Sequence, residues 1–198
     1  ELKSAVDTAL REKAVGVYTV LVSEHGHSND IVGFSFAHDV GAVYVPVGHR
    51  YIGAPDQLSV GDALAELGRL FSAKTVLKRF VDTKRELLAL HARGSDAAEP
   101  TFDAMLASYL LDPERHKHTI EDIAGFELGV ELPSLESVTG KKRTLDECEV
   151  APVAAFAVRR AQIALAAGER YEKRLSHEEA LAKLFEELEE PLARVLAR

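Results

Sequence analysis

Five residues, Asp82-Thr-Lys-Arg-Glu86, place two carboxylates four positions apart. On a helix such a pair shares one face, where carboxylate oxygens can ligate a hard divalent cation. The same residues also suit plainer roles, an N-cap for Asp82 and a surface charge for Glu86. Cations gather nearby and again later: Lys78, Arg79, Lys84, Arg85, Arg159 and Arg160. If they faced one groove they could hold phosphate without cleaving it. They also have acids to pair with, such as Glu86 with Arg160. Two His-x-His pairs, His25/His27 and His116/His118, have a spacing that can ligate metal on a strand. Both fall in turns or at a helix entry, with no cysteine or third ligand beside them, and read as surface histidines. The chain has no Gly-x-Ser-x-Gly, no Gly-x-Gly-x-x-Gly and no phosphate-loop sequence. Its one cysteine, Cys148, can form neither an internal disulfide nor a cysteine-rich zinc site. That fits a reducing, cytoplasmic setting.

The elements that must position these groups follow from periodicity. Leu2 to Leu10 has helical spacing. Val15 to Val22, Ile31 to Ala37 and Ala42 to Val47 read as three strands of an antiparallel meander, the first two separated by a polar turn at His25 to Asp30. Ser59 with Asp62 opens a helix whose apolar face carries Leu64, Leu67, Leu70 and Phe71. A short strand is expected over Lys74 to Phe80, a helix over Asp82 to Arg93, and another over Phe102 to Leu111. Thr119 and Asp122 cap a short helix, and Leu128 to Lys142 reads as irregular. Thr144 and Glu147 form a capping box before a long helix through Ala167, whose start Pro152 shifts toward itself. Ser176 and Glu179 are expected to cap a last helix with Leu181, Leu184, Phe185 and Leu188 on one packed face. Pro191 interrupts that helix. Strands first, alternation next and helices last fit an α/β fold, a mixed sheet flanked by helices.

A chain of 198 residues with 46% hydrophobic content can build one core without disulfides or metal. No apolar run approaches the roughly 20 residues needed to span a bilayer. The net charge of −8 argues against strong autonomous binding to nucleic acid. Acids crowd the last helix at Glu178, Glu179, Glu186, Glu187, Glu189 and Glu190. The chain begins at Glu1 rather than Met, as a piece cut from something longer would.

Several stretches, in order, resemble a known family. Gly33-Phe-Ser-Phe-Ala37 and Tyr44-Val-Pro-Val47 fit its second and third strands. Phe102-Asp-Ala-Met-Leu106 with Ser108-Tyr109 fits its FDTMLxSY helix. His118-Thr-Ile-Glu-Asp-Ile-Ala124 fits the H-x-x-x-x-L-A helix that follows. Glu189-Glu-Pro-Leu-Ala-Arg-Val-Leu196 fits its E-x-P-L-x-x-V-L segment. The family is the 3′–5′ exonuclease (proofreading) domain of bacterial family A DNA polymerases. The resemblance covers nearly the whole chain. It implies a ribonuclease H-like (DnaQ-like) fold over residues 1–175, and a helical segment, 176–198, leading toward a polymerase domain.

In that family one of two Mg²⁺ ions activates a water, and both stabilise the charge that builds on the phosphate and the leaving oxygen. Four carboxylates hold them: Asp-x-Glu on the first strand, Asn-x-x-x-Asp on a helix, and Tyr-x-x-x-Asp on a late helix, whose tyrosine orients the water. Counting back from Gly33 places Tyr18 and Val20 at the first motif. Shifted registers give Val17 and Thr19, or Thr19 and Leu21, and none is acidic. The nearest acids, Glu24 and Asp30, read as turn residues. Asp82 and Glu86 fall at the second motif, with Lys84 at the family's frequent lysine. Phe156 and Arg160 fall at the third. The resemblance with these replacements implies a domain that keeps the fold, binds no metal cofactor and has no exonuclease activity. It would act as a structural module of a DNA-directed DNA polymerase in replication and repair, reaching DNA through that parent, with the polymerase domain in cis and no membrane partner. Two other readings stay open. One is an active nuclease using Glu86 with Glu24, Asp30 and Asp82. The other is a single-strand-binding module using Arg79, Lys84, Arg85, Arg159 and Arg160.

Overall fold

A computed structural model describes residues 1–23 and 30–198. The first helix, α1, is Leu2–Ala9, followed by strands β1 (Ala14–Leu21), β2 (Ile31–His38) and β3 (Gly41–Pro46). β2 pairs antiparallel with both neighbours, so the meander forms as its β-branched runs dictate. Helix α2 (Val60–Phe71) starts at Ser59, whose side chain accepts the Asp62 N–H, and buries Leu64, Leu67, Leu70 and Phe71. Strand β4 (Leu77–Phe80) then enters on the far side of β1 and pairs with it in parallel, Ala14–Gly16 against Leu77–Arg79. Helix α3 (Thr83–His91) follows at once, N-capped by Asp82.

The next element differs from expectation. Thr101–Asp103 is a strand, β5, parallel to β4, and helix α4 begins only at Ala104 and ends at Leu111. Asp103 therefore leaves a strand and caps a helix, accepting the Leu106 N–H. The sheet order is β3-β2-β1-β4-β5. After α4 come α5 (Ile120–Ile123), with its Thr119/Asp122 capping box, and a π-helical turn (Ala124–Leu128). The stretch expected to be irregular contains a short helix, α6 (Leu135–Thr139). The Thr144/Glu147 box exists, but it opens a 3₁₀ turn, Leu145–Glu147, rather than the long helix. The long helix α7 is Val150–Leu175. It starts just before Pro152, whose missing N–H is harmless in a first turn.

Alternation along β1 builds two cores. Val15 and Val17 point to the layer of α1, α2 and α3. Tyr18 and Val20 point to α7, against Phe156, Ala157 and Ala161. Gly16 lies where α7 crosses the strand. A Cβ there would sit 2.5 Å from the Leu165 nitrogen, so only glycine lets helix and strand approach this closely. α7 is 26 residues long, enough to cross a bilayer, yet its apolar face is covered by β1, β2 and β4.

The chain ends in α8 (Glu179–Leu184), a π-helical turn (Phe185–Glu189) and α9 (Glu190–Leu196). Here two expectations are corrected. Ser176 closes α7, its hydroxyl donating to the Lys173 carbonyl, and no side chain caps α8. The α-helical run is interrupted as expected, by the π-helical turn that precedes Pro191 in the first turn of α9. Of the expected apolar face, Phe185 is buried and Leu181 packs beside it, but Leu184 and Leu188 are exposed.

One glutamate of the acidic run is buried. Glu190 accepts from the Thr101 hydroxyl at 2.6 Å and the Asp103 N–H at 3.1 Å, tying α9 to β5. Asp103 is itself buried, with its second oxygen on the Thr83 N–H at 2.7 Å. Burial, and then the Glu190 charge, raise Asp103 well above the usual carboxylate range. Burial raises Glu190 as well. The folded state therefore holds these protons more tightly than the unfolded chain does. The stability they contribute is full below about pH 4, the ordinary carboxylate value, and is lost as pH rises through the raised values. Urea midpoints of the wild type should fall from pH 4 toward neutrality, and Glu190→Gln should flatten the fall. Superimposable profiles would exclude the pair as its source.

Candidate functional site

The parallel pairing of β1 with β4 stops at Gly16. Beyond it the β4-side edge of β1 is open, and α3 delivers two side chains there. Glu86 accepts the Thr19 N–H at 2.9 and 3.2 Å through its two oxygens. Arg85 donates to the Thr19 carbonyl at 2.9 Å and to Glu86 at 2.7 Å. Together the two side chains bind Thr19 as a neighbouring strand would. Unpaired buried backbone groups are costly, so this explains why Glu86 is buried.

A cavity of about 260 Å³ opens beside this edge. It is lined by Tyr18, Asp82, Arg85, Glu86, Phe156 and Arg160, with Glu121 of α5 and apolar side chains including Val81, Met105 and Ile120. The positions assigned by resemblance to three separate motifs thus converge on one place, while Val20 is buried in the adjoining core. Tyr18 meets the Phe156 ring edge-on at 6.3 Å. The Arg160 guanidinium lies 3.4 Å from the Phe156 ring centroid and 5.9 Å from that of Tyr18. Arg85 lies 4.9 Å from the Tyr18 ring. Such cation–π contacts are strongest when desolvated, and Arg160 is almost fully buried.

Three carboxylates line the cavity, but each is engaged. Asp82 accepts the Arg85 N–H at 2.9 Å as the α3 cap. Glu86 holds Thr19 and Arg85. Glu121 pairs with Arg160 at 2.7 Å, so the expected pairing of Arg160 with Glu86 is corrected. Two Mg²⁺ ions need converging oxygen ligands in near-octahedral geometry. Among the described residues no three His, Cys, Asp or Glu converge as a metal site. Two guanidinium groups stand in the cavity instead, and a cation at contact range repels a metal strongly in a partly dry site. Among the described residues, the side chains lining the cavity do not present the converging free carboxylates that two divalent cations need. Asp30 does not line the cavity and pairs with Arg93. Glu24, His25 and His27 lie outside the described residues.

The six cations share no groove. Lys78 is buried, donating to the Ala73 carbonyl at 2.7 Å, and burial with nearby Arg194 pushes its pKa down to about 8. Arg79 is buried against Glu172 at 2.5 Å. Lys84 lines a different hollow. Arg159 is exposed, 3.5 Å from Gln162. Arg85 and Arg160 alone of the six line the cavity. His118 is held by the Ser108 hydroxyl at 2.8 Å, and His116 is exposed. Sequence reasoning missed Glu121 and the Arg85–Glu86 clasp. The four-residue spacing of Phe156 and Arg160 on one helix face was a signal for their stacking.

A mixed sheet of this order, with helices on both faces and a cavity over the end of its central strand, defines a ribonuclease H-like domain of the DnaQ exonuclease class. The family described as "DNA polymerase I, ribonuclease H-like domain" matches residues 17–166, and the chain belongs to it. It is 32% identical to DNA polymerase I of Geobacillus stearothermophilus, over 98% of this chain and 21% of that protein. It also resembles the solved POL domain of Pol1 from M. smegmatis in complex with DNA primer-template and dNTP, with TM-score 0.74 and 19% identity, covering 100% of this chain and 30% of that one. Brucella melitensis NrnC gives TM-score 0.71 at 16% identity, covering 97% of this chain and 86% of that one. The chain spans about a fifth of the length of the polymerases it matches.

If Glu86 stands in for a strand, Glu86→Ala leaves the buried Thr19 N–H without its partner and should cost about 1–3 kcal/mol in urea unfolding. A carboxylate poised only for metal would give little loss, or a gain in stability on removal.

Proposed function

We propose that this domain does not cleave DNA and serves as a structural module of a DNA polymerase I. The observation that carries the reading is the composition of the convergent cavity. Where the family resemblance puts carboxylates there are Tyr18, Val20 and Arg160, and the remaining acid, Glu86, is bonded to β1. Phe156 at the tyrosine position can pack but has no hydroxyl to orient water. The chain's similarity to polymerases about five times its length supports a parent with a polymerase domain in cis, acting on DNA in replication and repair. Residues 176–198 would lead toward that domain. A cytoplasmic setting and no bound divalent cofactor accompany this reading.

The purified domain should leave a 5′-labelled single-stranded oligonucleotide intact with Mg²⁺ or Mn²⁺, at concentrations where an active family member degrades it. A ladder shortening from the 3′ end would overturn the reading in favour of relocated carboxylates.

A further inference from the structure

Most arginines of this chain are matched to a carboxylate: Arg69, Arg79, Arg93, Arg160 and Arg174 each face one at hydrogen-bond distance. One run departs from that pattern. Lys141, Lys142 and Arg143 are consecutive and exposed, and among the described residues none of the three forms an ion pair. They link α6, which ends at Gly140 with φ of 65°, to the 3₁₀ turn Leu145–Glu147. The link is held at both ends. Before it, Thr139 is buried and its carbonyl accepts Arg143 Nε at 3.4 Å. After it, Leu145, Asp146 and Cys148 are buried. Asp146 accepts from the Thr144 hydroxyl and from Arg50 at 2.7 Å. The flanking acids Glu136, Glu147 and Glu149 are exposed, and Glu147 is engaged with the Thr144 N–H. The loop lies at the cavity end of the sheet. Leu135 of α6 lines the cavity, and α7, which starts just beyond the loop, packs Phe156 and Ala157 on Tyr18 and Val20.

We propose that the Lys141–Arg143 loop is a contact for the phosphate backbone of duplex DNA, separate from the cavity. The inference rests on the module reading above, which supplies DNA as the partner. Three unpaired cations in a row suit a polyanion with closely spaced charges; a single small anion would need donors converging in a pocket. Single-strand binding ordinarily adds aromatic side chains on which bases stack, and no Phe, Tyr or Trp occurs between Phe126 and Phe156. Lysine meets phosphate as a point charge, and phosphate contacts position a protein without reading sequence. The net charge of −8 keeps such a contact weak and salt-sensitive.

The test is fluorescence anisotropy of a labelled duplex oligonucleotide titrated with the 198-residue chain in EDTA. It is run on the wild type, on Lys141→Gln/Lys142→Gln/Arg143→Gln, and on Lys3→Gln/Arg11→Gln/Lys13→Gln. The last removes the same charge from exposed residues elsewhere. About three neutralised phosphates give a salt slope of about −2.7, so wild-type affinity should fall roughly 40-fold between 50 and 200 mM salt. The loop variant should bind about tenfold more weakly at 50 mM, with a shallower slope, and the control within about twofold of wild type. Urea midpoints check folding, and Lys141→Gln/Lys142→Gln, which keeps the Arg143 contact to Thr139, replaces the triple variant if that fails to fold. Equal weakening by loop and control variants assigns the effect to overall charge and overturns the proposal. Undetectable wild-type binding, or tighter binding to single strands than to duplex, overturns it as well. A chain that binds duplex through the loop in EDTA but degrades DNA once Mg²⁺ is added keeps the loop contact and loses the module reading.

Discussion

The open edge of β1 is the constraint around which this end of the molecule is arranged. β4 accompanies β1 only as far as Gly16, and the peptide of Thr19 then needs partners that no strand supplies. Glu86 and Arg85 supply them from α3. That fixes the height of α3 beside the sheet and places Asp82 at its cap. On the adjacent face the same strand turns Tyr18 toward α7, which Gly16 admits to close contact. The cavity is what remains between these two commitments.

Its electrostatics follow from the described charges around it. They stand as pairs, Arg85 with Glu86 and Arg160 with Glu121, set among aromatic rings. Each cation has a carboxylate partner and a π face, while the buried Arg160 Nη1 has no hydrogen-bond partner among the described residues. Glu86 holds α3 to β1, and Glu121 joins α5 to α7 through Arg160.

Much of this was legible in the sequence. The meander, and α2 and α3 with their Ser59 and Asp82 caps, followed from local pattern. What escaped depends on contacts far apart in the chain. Arg160 and Glu121 lie 39 residues apart, and nothing local marks Glu121 except its place in a capped helix. β5 is three residues long and exists because β4 offers an edge, so its sequence reads as the start of α4. Glu190 looks like its neighbours Glu186, Glu187 and Glu189. Only the Thr101 hydroxyl and the Asp103 peptide, nearly 90 residues away, distinguish it as buried. The outward leucines of the last helix were misread for the same reason, since periodicity finds an apolar face but not which face meets the core.

The central proposal is that the convergent cavity is a charge-paired site that holds no divalent pair. It is tested most directly by soaking crystals of this chain in Mn²⁺ and mapping the anomalous signal around Tyr18, Glu86 and Arg160. The account predicts no manganese in the cavity and an unbroken Glu86 contact to the Thr19 N–H. Two adjacent manganese peaks ligated by Glu86 and neighbouring acids would contradict it.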